Sequence, residues 1–183
     1  MNHVRLILSA TALVIAIVPV SSSAQDTDQA SGQASARVVR NISAQPQAAL
    51  AFGAIAVDRQ NGGGVVVSAR GGATNYTGSV RPTCGATAGC SSHPARFSVT
   101  GEPRHGYTIK LPANVFATGS RFGEALEVTS LEAISIGRPE AGGAGHLDDA
   151  GRDEFLVGGM LIVPPGATAD FYSADLPVLL AYE

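Results

Sequence analysis

Apolar residues in this chain recur at every second position, in short runs broken by Gly, Pro and Asn, and no other feature limits the possible folds as much. Val38, Ile42 and Ala44 share one parity. Leu50 and Phe52 form a second run before Gly53, and Val65-Val66-Val67 follows the turn residues Gly62-Gly63-Gly64. Phe97 and Val99 alternate with Arg96, Ser98 and Thr100, Tyr107, Ile109 and Leu111 with Thr108 and Lys110, and Leu126 and Val128 with Glu127 and Thr129. Phe155, Val157, Leu161 and Val163 keep one parity across Gly159, and Leu176, Val178, Leu180 and Tyr182 do so at the C-terminal end. A period of two puts alternate side chains on opposite faces of a strand, one face toward a core and the other toward water. No stretch carries a sustained helical stripe. Glu124 to Ile136 comes nearest, but Val128, Thr129, Ile134 and Ile136 are β-branched and favour strand. About eight antiparallel strands joined by Gly- and Pro-rich turns read as an all-β sandwich or barrel. The segment from Glu140 to Gly151, EAGGAGHLDDAG, reads as a long loop.

The first residues follow a different logic. Met1 to Arg5 is a short segment with one cation, and Leu6 to Val20 is a nearly unbroken apolar run of 15 residues. That run is shorter than the roughly 20 residues needed to cross a bilayer. With Ser22 and Ala24 as small residues after it, the pattern predicts a signal peptide over residues 1–24, cut after Ala24. Residues 25–36, QDTDQASGQASA, have no large apolar side chain and read as a flexible lead-in to a single domain over 37–183. No later apolar stretch reaches spanning length, so no transmembrane helix is expected after processing. Export to the periplasm, the outer cell surface or the exterior follows. In such a compartment Cys84 and Cys90 are expected to form a disulfide. Closing so short a loop contributes about 2–2.5 kcal/mol in the chain-entropy view.

Composition removes several functions. Charged residues make up 15% of the chain, and 12 Lys+Arg stand against 15 Asp+Glu. A nucleic-acid binder needs a basic face, which this balance does not provide. The four histidines, His3, His93, His105 and His146, are scattered and form no zinc-binding pair. Asp148, Asp149, Asp153 and Glu154 cluster near His146 without the spacing of a calcium loop. Ser91-Ser92-His93 has the atom types of nucleophilic chemistry but no Gly-x-Ser-x-Gly elbow. Gly62-Gly63-Gly64 lacks the Lys-Ser/Thr of a phosphate cradle and reads as a turn. No Trp is present, and most of the four Tyr and six Phe sit at inward parities, which argues against an aromatic platform for glycans. The expectation is a non-enzymatic protein with no catalytic residue, no metal site and no cofactor.

Four segments taken in order carry a resemblance: Leu50-Ala51-Phe52-Gly53-Ala54-Ile55; Ala95 to Gly101 continuing to Tyr107 to Pro112; Phe155 to Leu161; and Tyr172-Ser173 to Tyr182. The set resembles a family of small exported bacterial domains of unknown function, itself similar to fimbrial and spore-coat-type pilin-like subunits, over roughly Val38 to Tyr182. The resemblance implies an immunoglobulin-like antiparallel β-sandwich with a structural or surface role. Fimbrial subunits end in an alternating apolar strand, and here Leu176, Val178, Leu180 and Tyr182 form one. An edge strand offers unpaired N–H and C=O groups to an added chain. An exported structural or surface role is the leading expectation; within it this strand reads either as the closing strand of an ordinary sandwich or as an assembly strand that pairs with copies of the same chain or with a periplasmic chaperone. A monomeric secreted or periplasmic binding module is the alternative. The lead-in 25–36 makes a poor strand to insert into a partner, because it lacks bulky alternating residues; Ala36 to Ala44 alternates better but also reads as the domain's own first strand.

Overall fold

The computed structural model describes residues 33, 35–83, 91–139 and 142–183. Val38–Glu183 is one compact unit, and no helix occurs in its described residues. The strands are β1 (Ser43–Ala48), β2 (Ile55–Ala56), β3 (Gly63–Val67), β4 (Asn75–Gly78), β5 (Arg81–Pro82), β6 (Ala95–Thr100), β7 (Gly106–Lys110), β8 (Asn114–Gly119), β9 (Ala125–Ser135), β10 (Ala144–His146), β11 (Arg152–Val163), β12 (Tyr172–Ser173) and β13 (Leu179–Tyr182). The main sheet runs β1-β6-β11-β9-β8-β12, with β3 also on β11 and β4 beyond β3. A second layer runs β10-β7-β13, and β2 pairs with β5. Every described pairing is antiparallel. The fold is all-β and consistent with the expected antiparallel β-sandwich, with thirteen strands among the described residues where about eight were expected.

Seven of the alternating runs are strands. The Leu50–Phe52 run makes only a single bridge, between Ala51 and His93. The segment expected to be a loop from Glu140 to Gly151 holds β10, because His146 and its neighbours pair with Gly106 to Thr108.

The two longest strands organise the core. Along one edge β11 pairs first with β6, over Arg152 to Val157, and then with β3, over Gly159 to Val163. The change of partner falls at Gly158, where an added Cβ would lie 2.4 Å from the Val67 carbonyl oxygen and 2.3 Å from the Ala69 nitrogen. Only glycine lets β3 come that close. Across the other edge, β9 carries two residues, Ser130 and Leu131, opposite the single Gly159, and Ser130 has φ of 51°. This bulge shifts the pleat by one residue. Leu126 and Val128 before it and Ala133 and Ser135 after it are therefore all buried, although their parities differ.

Two apolar clusters result. One gathers Val99, Tyr107, Ile109, Leu147, Phe155 and Val157 between the main sheet and β7. Phe155 lies opposite Phe97 in the β6–β11 register, with the rings stacked 4.9 Å apart. The other gathers Val65, Val67, Val80, Leu126, Val128 and Leu161 at the β3 end. Burying each such side chain contributes roughly 1.5–3 kcal/mol.

Candidate functional site

Of the four residues expected to form the terminal strand, Leu180 and Tyr182 lie in β13, while Leu176 and Val178 precede it. Leu176, Val178, Leu180 and Tyr182 are half-buried against the first cluster. Leu179, between them, points outward and is 69% exposed. β13 pairs with β7 from Leu179 opposite Lys110 to Tyr182 opposite Tyr107. It is the last strand of its sheet, so its other edge has no partner among the described residues. The Tyr182 hydroxyl accepts from the Glu102 N–H at 2.7 Å and donates to the Arg40 carbonyl oxygen at 2.7 Å.

This strand continues one wall of a groove of about 1420 Å³. The floor is the inner face of the main sheet, including Ala95, Phe97, Ala117, Leu126, Val128 and Leu161. The walls are residues 46–57, leading out of β1, and residues 167–176, leading through β12 toward β13. β1 and β12 are the two ends of the main sheet's strand order, so the sheet curls until its ends share one groove. Five antiparallel steps separate them, so the two ends run in opposite directions.

Both walls carry backbone that is unpaired among the described residues. Ala51 exchanges both of its backbone bonds with His93, at 3.0 and 2.9 Å. Successive residues of an extended chain aim their N–H and C=O groups at opposite edges. Those of Leu50 and Phe52 therefore turn away from His93, and they meet no partner among the described residues. On the other wall, Ala174 to Val178 make no backbone hydrogen bond within the described residues.

Two carboxylates hold the second wall in place. Asp170 accepts from the Ser120 hydroxyl and from the N–H groups of Arg121, Phe122 and Phe171. Desolvation pushes its carboxyl up, but these hydrogen bonds together outweigh that and hold it down at about 2. Glu124 accepts from the Thr168 N–H and from the Tyr172 hydroxyl. Its carboxyl is held below the usual carboxylate range, chiefly by the Thr168 N–H.

The polar residues singled out in the sequence do not converge. Asp148 caps its own turn by accepting from the Ala150 and Arg152 N–H groups. Asp149 lies 3.9 Å from Arg104, Glu154 pairs with Arg96 at 3.3 Å, and His146 sits in β10. His93 is held by the Ala51 bridge, and the Ser92 hydroxyl bonds to that of Thr74. Asp153 accepts from the buried hydroxyls of Tyr107 at 2.9 Å and Ser135 at 2.7 Å. None of these three lines the groove. Burial, reinforced by the Asp153 carboxylate, pushes the Tyr107 phenol far up. Cys84, Cys90 and the signal peptide over 1–24 lie outside the described residues.

The aromatic residues depart from the expected pattern. Phe116, Phe122 and Phe171 are 59%, 66% and 73% exposed. Phe116 falls on the outer face of β8 because Ala117 and Gly119 take the inner one, and Asp170 pins the backbone of Phe122 and Phe171.

The family model described as Domain of unknown function (DUF4402) matches residues 42–182, nearly the whole sandwich. No curated protein and no solved structure matches the chain.

Proposed function

The chain belongs to the DUF4402 family, whose description names no activity, and on that footing we propose that it is an exported, non-enzymatic structural or surface protein, a fimbrial-like subunit that joins to partner chains by strand addition. The observation that carries this reading is the outer edge of β13, which has no strand partner among the described residues and exposes Leu179. Such an edge is a template for a strand from another chain. Compact monomers blunt their edges with charge, Pro or short length. Here Leu179, Leu180, Ala181 and Tyr182 carry no charge. The partners are copies of the same chain or a periplasmic chaperone, and the apolar run of Leu6 to Val20 supports export.

One observation favours a second reading. A groove of this size with an apolar floor also suits a monomeric secreted or periplasmic module that binds an apolar ligand. The two readings separate at Leu179. Its side chain faces outward, so Leu179→Asp leaves the core alone, whereas Leu180→Asp and Val99→Asp charge it. Protein from the native cells is sized by chromatography and viewed by electron microscopy. Strand addition predicts multimers or chaperone complexes that Leu179→Asp converts to folded monomer. A wild type that is monomeric throughout overturns it in favour of the binding module.

A further inference from the structure

We infer that the bend from Asp58 to Gly62 is a self-modification site, at which the Gly62 backbone nitrogen closes on the Asn61 side-chain amide and converts the asparagine to aspartate and isoaspartate. The substrate is the chain's own amide, and water is the second reactant. The inference stands independently of the strand-addition reading.

Sequence restricts the chemistry to one place. Of the five asparagines, Asn61 alone precedes glycine, whereas Asn2, Asn41, Asn75 and Asn114 precede His, Ile, Tyr and Val, and no Asp precedes Gly. A side chain on the following residue shields its backbone nitrogen from the amide carbon, and glycine has none. The fold keeps that position a glycine. A Cβ on Gly62 would lie 2.6 Å from the Val163 carbonyl oxygen and 3.1 Å from the Pro165 Cδ. Asn61 itself is exposed, so water reaches its amide.

A hydroxyl activates the nucleophile. The Gly62 nitrogen and the Asn61 carbonyl oxygen belong to one planar peptide group, so negative charge left on the nitrogen when its proton departs is shared with that oxygen. The Ser79 hydroxyl donates to this same oxygen. It accepts in turn from the Asp58 N–H at 3.2 Å, which polarises it and holds it in place. A fixed donor aimed at the atom where charge develops lowers the barrier, as in an oxyanion hole.

The step balances. The Gly62 nitrogen gives up its proton to water as it bonds to the Asn61 Cγ. The Cγ–Nδ2 bond breaks, and Nδ2 takes a proton from water and leaves as ammonia. A second water then opens the five-membered imide. Attack at Cγ restores the ordinary backbone with aspartate at position 61. Attack at the former main-chain carbonyl leaves the chain running through Cγ, one methylene longer. Either product adds a negative charge, and the longer one cannot keep the close packing around Gly62.

The consequence reaches the groove. The Ser79 N–H donates to the Gly62 carbonyl oxygen at 3.1 Å, and the Gly166 N–H donates to that of Asp58 at 3.2 Å. The bend therefore holds both the residue that follows β4 and the loop that leads into the wall at 167–176. Lengthening the chain between residues 61 and 62 displaces the start of β3 and releases that loop. The change is irreversible, so it loosens one wall of the groove as the molecule ages.

The test incubates the folded full chain in mildly alkaline buffer beside Ser79→Ala, Ser79→Thr, Asn61→Gln and a synthetic peptide of residues 57–66. Circular dichroism checks that each chain is folded. Peptide mapping follows the amide-to-acid mass change, and enzymatic carboxyl methylation of isoaspartate counts the longer form. Conversion is expected at Asn61 alone. It should be about tenfold slower in Ser79→Ala and near the wild-type rate in Ser79→Thr. It should be absent in Asn61→Gln, whose imide would need a six-membered ring. A Ser79 that merely braced the bend would give the opposite sign, because its loss would loosen the bend and speed conversion. Hydrogen exchange of the converted protein should show faster amides at Ser79 and Gly166. A Ser79→Ala rate equal to or above wild type overturns the inference. So does a wild type that stays intact while the peptide converts. Strand addition is decided separately, by Leu179→Asp.

Discussion

The Tyr182 hydroxyl donates to the carbonyl oxygen of Arg40, joining the last strand to the segment that enters the first across 142 residues of sequence. The Tyr182 hydroxyl oxygen also accepts from the Glu102 N–H, so one side chain ties β13, the entry to β1 and the turn between β6 and β7. The His105 ring packs edge-on to Tyr182 at 5.7 Å and would pack against phenylalanine equally well. Tyr182→Phe therefore isolates the hydroxyl. Two hydrogen bonds, each with a net contribution of about 0.5–1.5 kcal/mol, are lost. Urea denaturation should show about 1–3 kcal/mol less stability with an unchanged slope. A variant as stable as wild type would mean that the hydroxyl serves no tethering role.

Tyr107 predicts behaviour at high pH. Its phenol is buried and donates to Asp153, and burial first and then the carboxylate raise its pKa above the ordinary 10.0. A group whose folded pKa lies above its unfolded one stabilises the fold fully below the unfolded value, and the contribution falls as pH rises beyond it. Stability should therefore decline from about pH 10 upward. The Tyr107 phenolate band near 295 nm should appear only as the protein unfolds. Tyr107→Phe should flatten the alkaline decline, at the cost of leaving Asp153 with one hydroxyl donor fewer. An early phenolate signal from a still-folded chain, assigned to Tyr107 by its loss in that variant, would contradict the buried geometry.

Asp170 makes the opposite prediction in acid. Its carboxyl is held at about 2 against an ordinary 3.8 because the hydrogen bonds from Arg121, Ser120, Phe171 and Phe122 outweigh desolvation. A depressed folded pKa stabilises above the unfolded value, and the contribution is lost as pH falls through the folded one. The turn at residues 120–123 and the groove wall at 167–172 should loosen together between about pH 4 and pH 2. Hydrogen exchange should then report faster amides at Arg121 and Phe122, the two whose N–H groups the carboxylate holds. Asp170→Ala should give that pattern at neutral pH. Protection in the variant equal to wild type would show that the carboxylate does not position the wall.

The alternation made the inward faces of β6, β7, β11 and β13 legible because those strands keep one parity from end to end. β8 was not legible. In NVFATG the larger side chain, Phe116, faces water and the smaller Ala117 faces the core, so size and side disagree. Nor did Leu126 to Ser135 read as one strand, since the bulge at Ser130 reverses the parity halfway. The terminal strand could be singled out from sequence because its pattern is local. The groove could not, because it depends on the curl that brings residues 46–57 to residues 167–176, more than a hundred positions apart. Asp170, which holds one of those walls, lies in no motif. Its role comes from the turn that the fold sets beside it.

Gly158 shows how tightly the change of partner along β11 is specified. A Cβ there would come within 2.3 Å of the Ala69 nitrogen and 2.4 Å of the Val67 carbonyl oxygen. Both are backbone atoms of the segment that ends β3 and cannot swing aside as a side chain can. Gly158→Ala should force β3 away from β11 and open the second cluster around Val65 and Val67. Overpacking of this kind costs roughly 1–3 kcal/mol, with the upper end expected because backbone has to move. Gly142→Ala is the matched control, since a Cβ there meets nothing within 4 Å. It should stay within about 0.5 kcal/mol of wild type, as surface substitutions do. Thermal and urea melts of the pair measure the difference directly. If both changes prove neutral, β3 has slack against β11, and the split of the core at Gly158 is not imposed by that glycine.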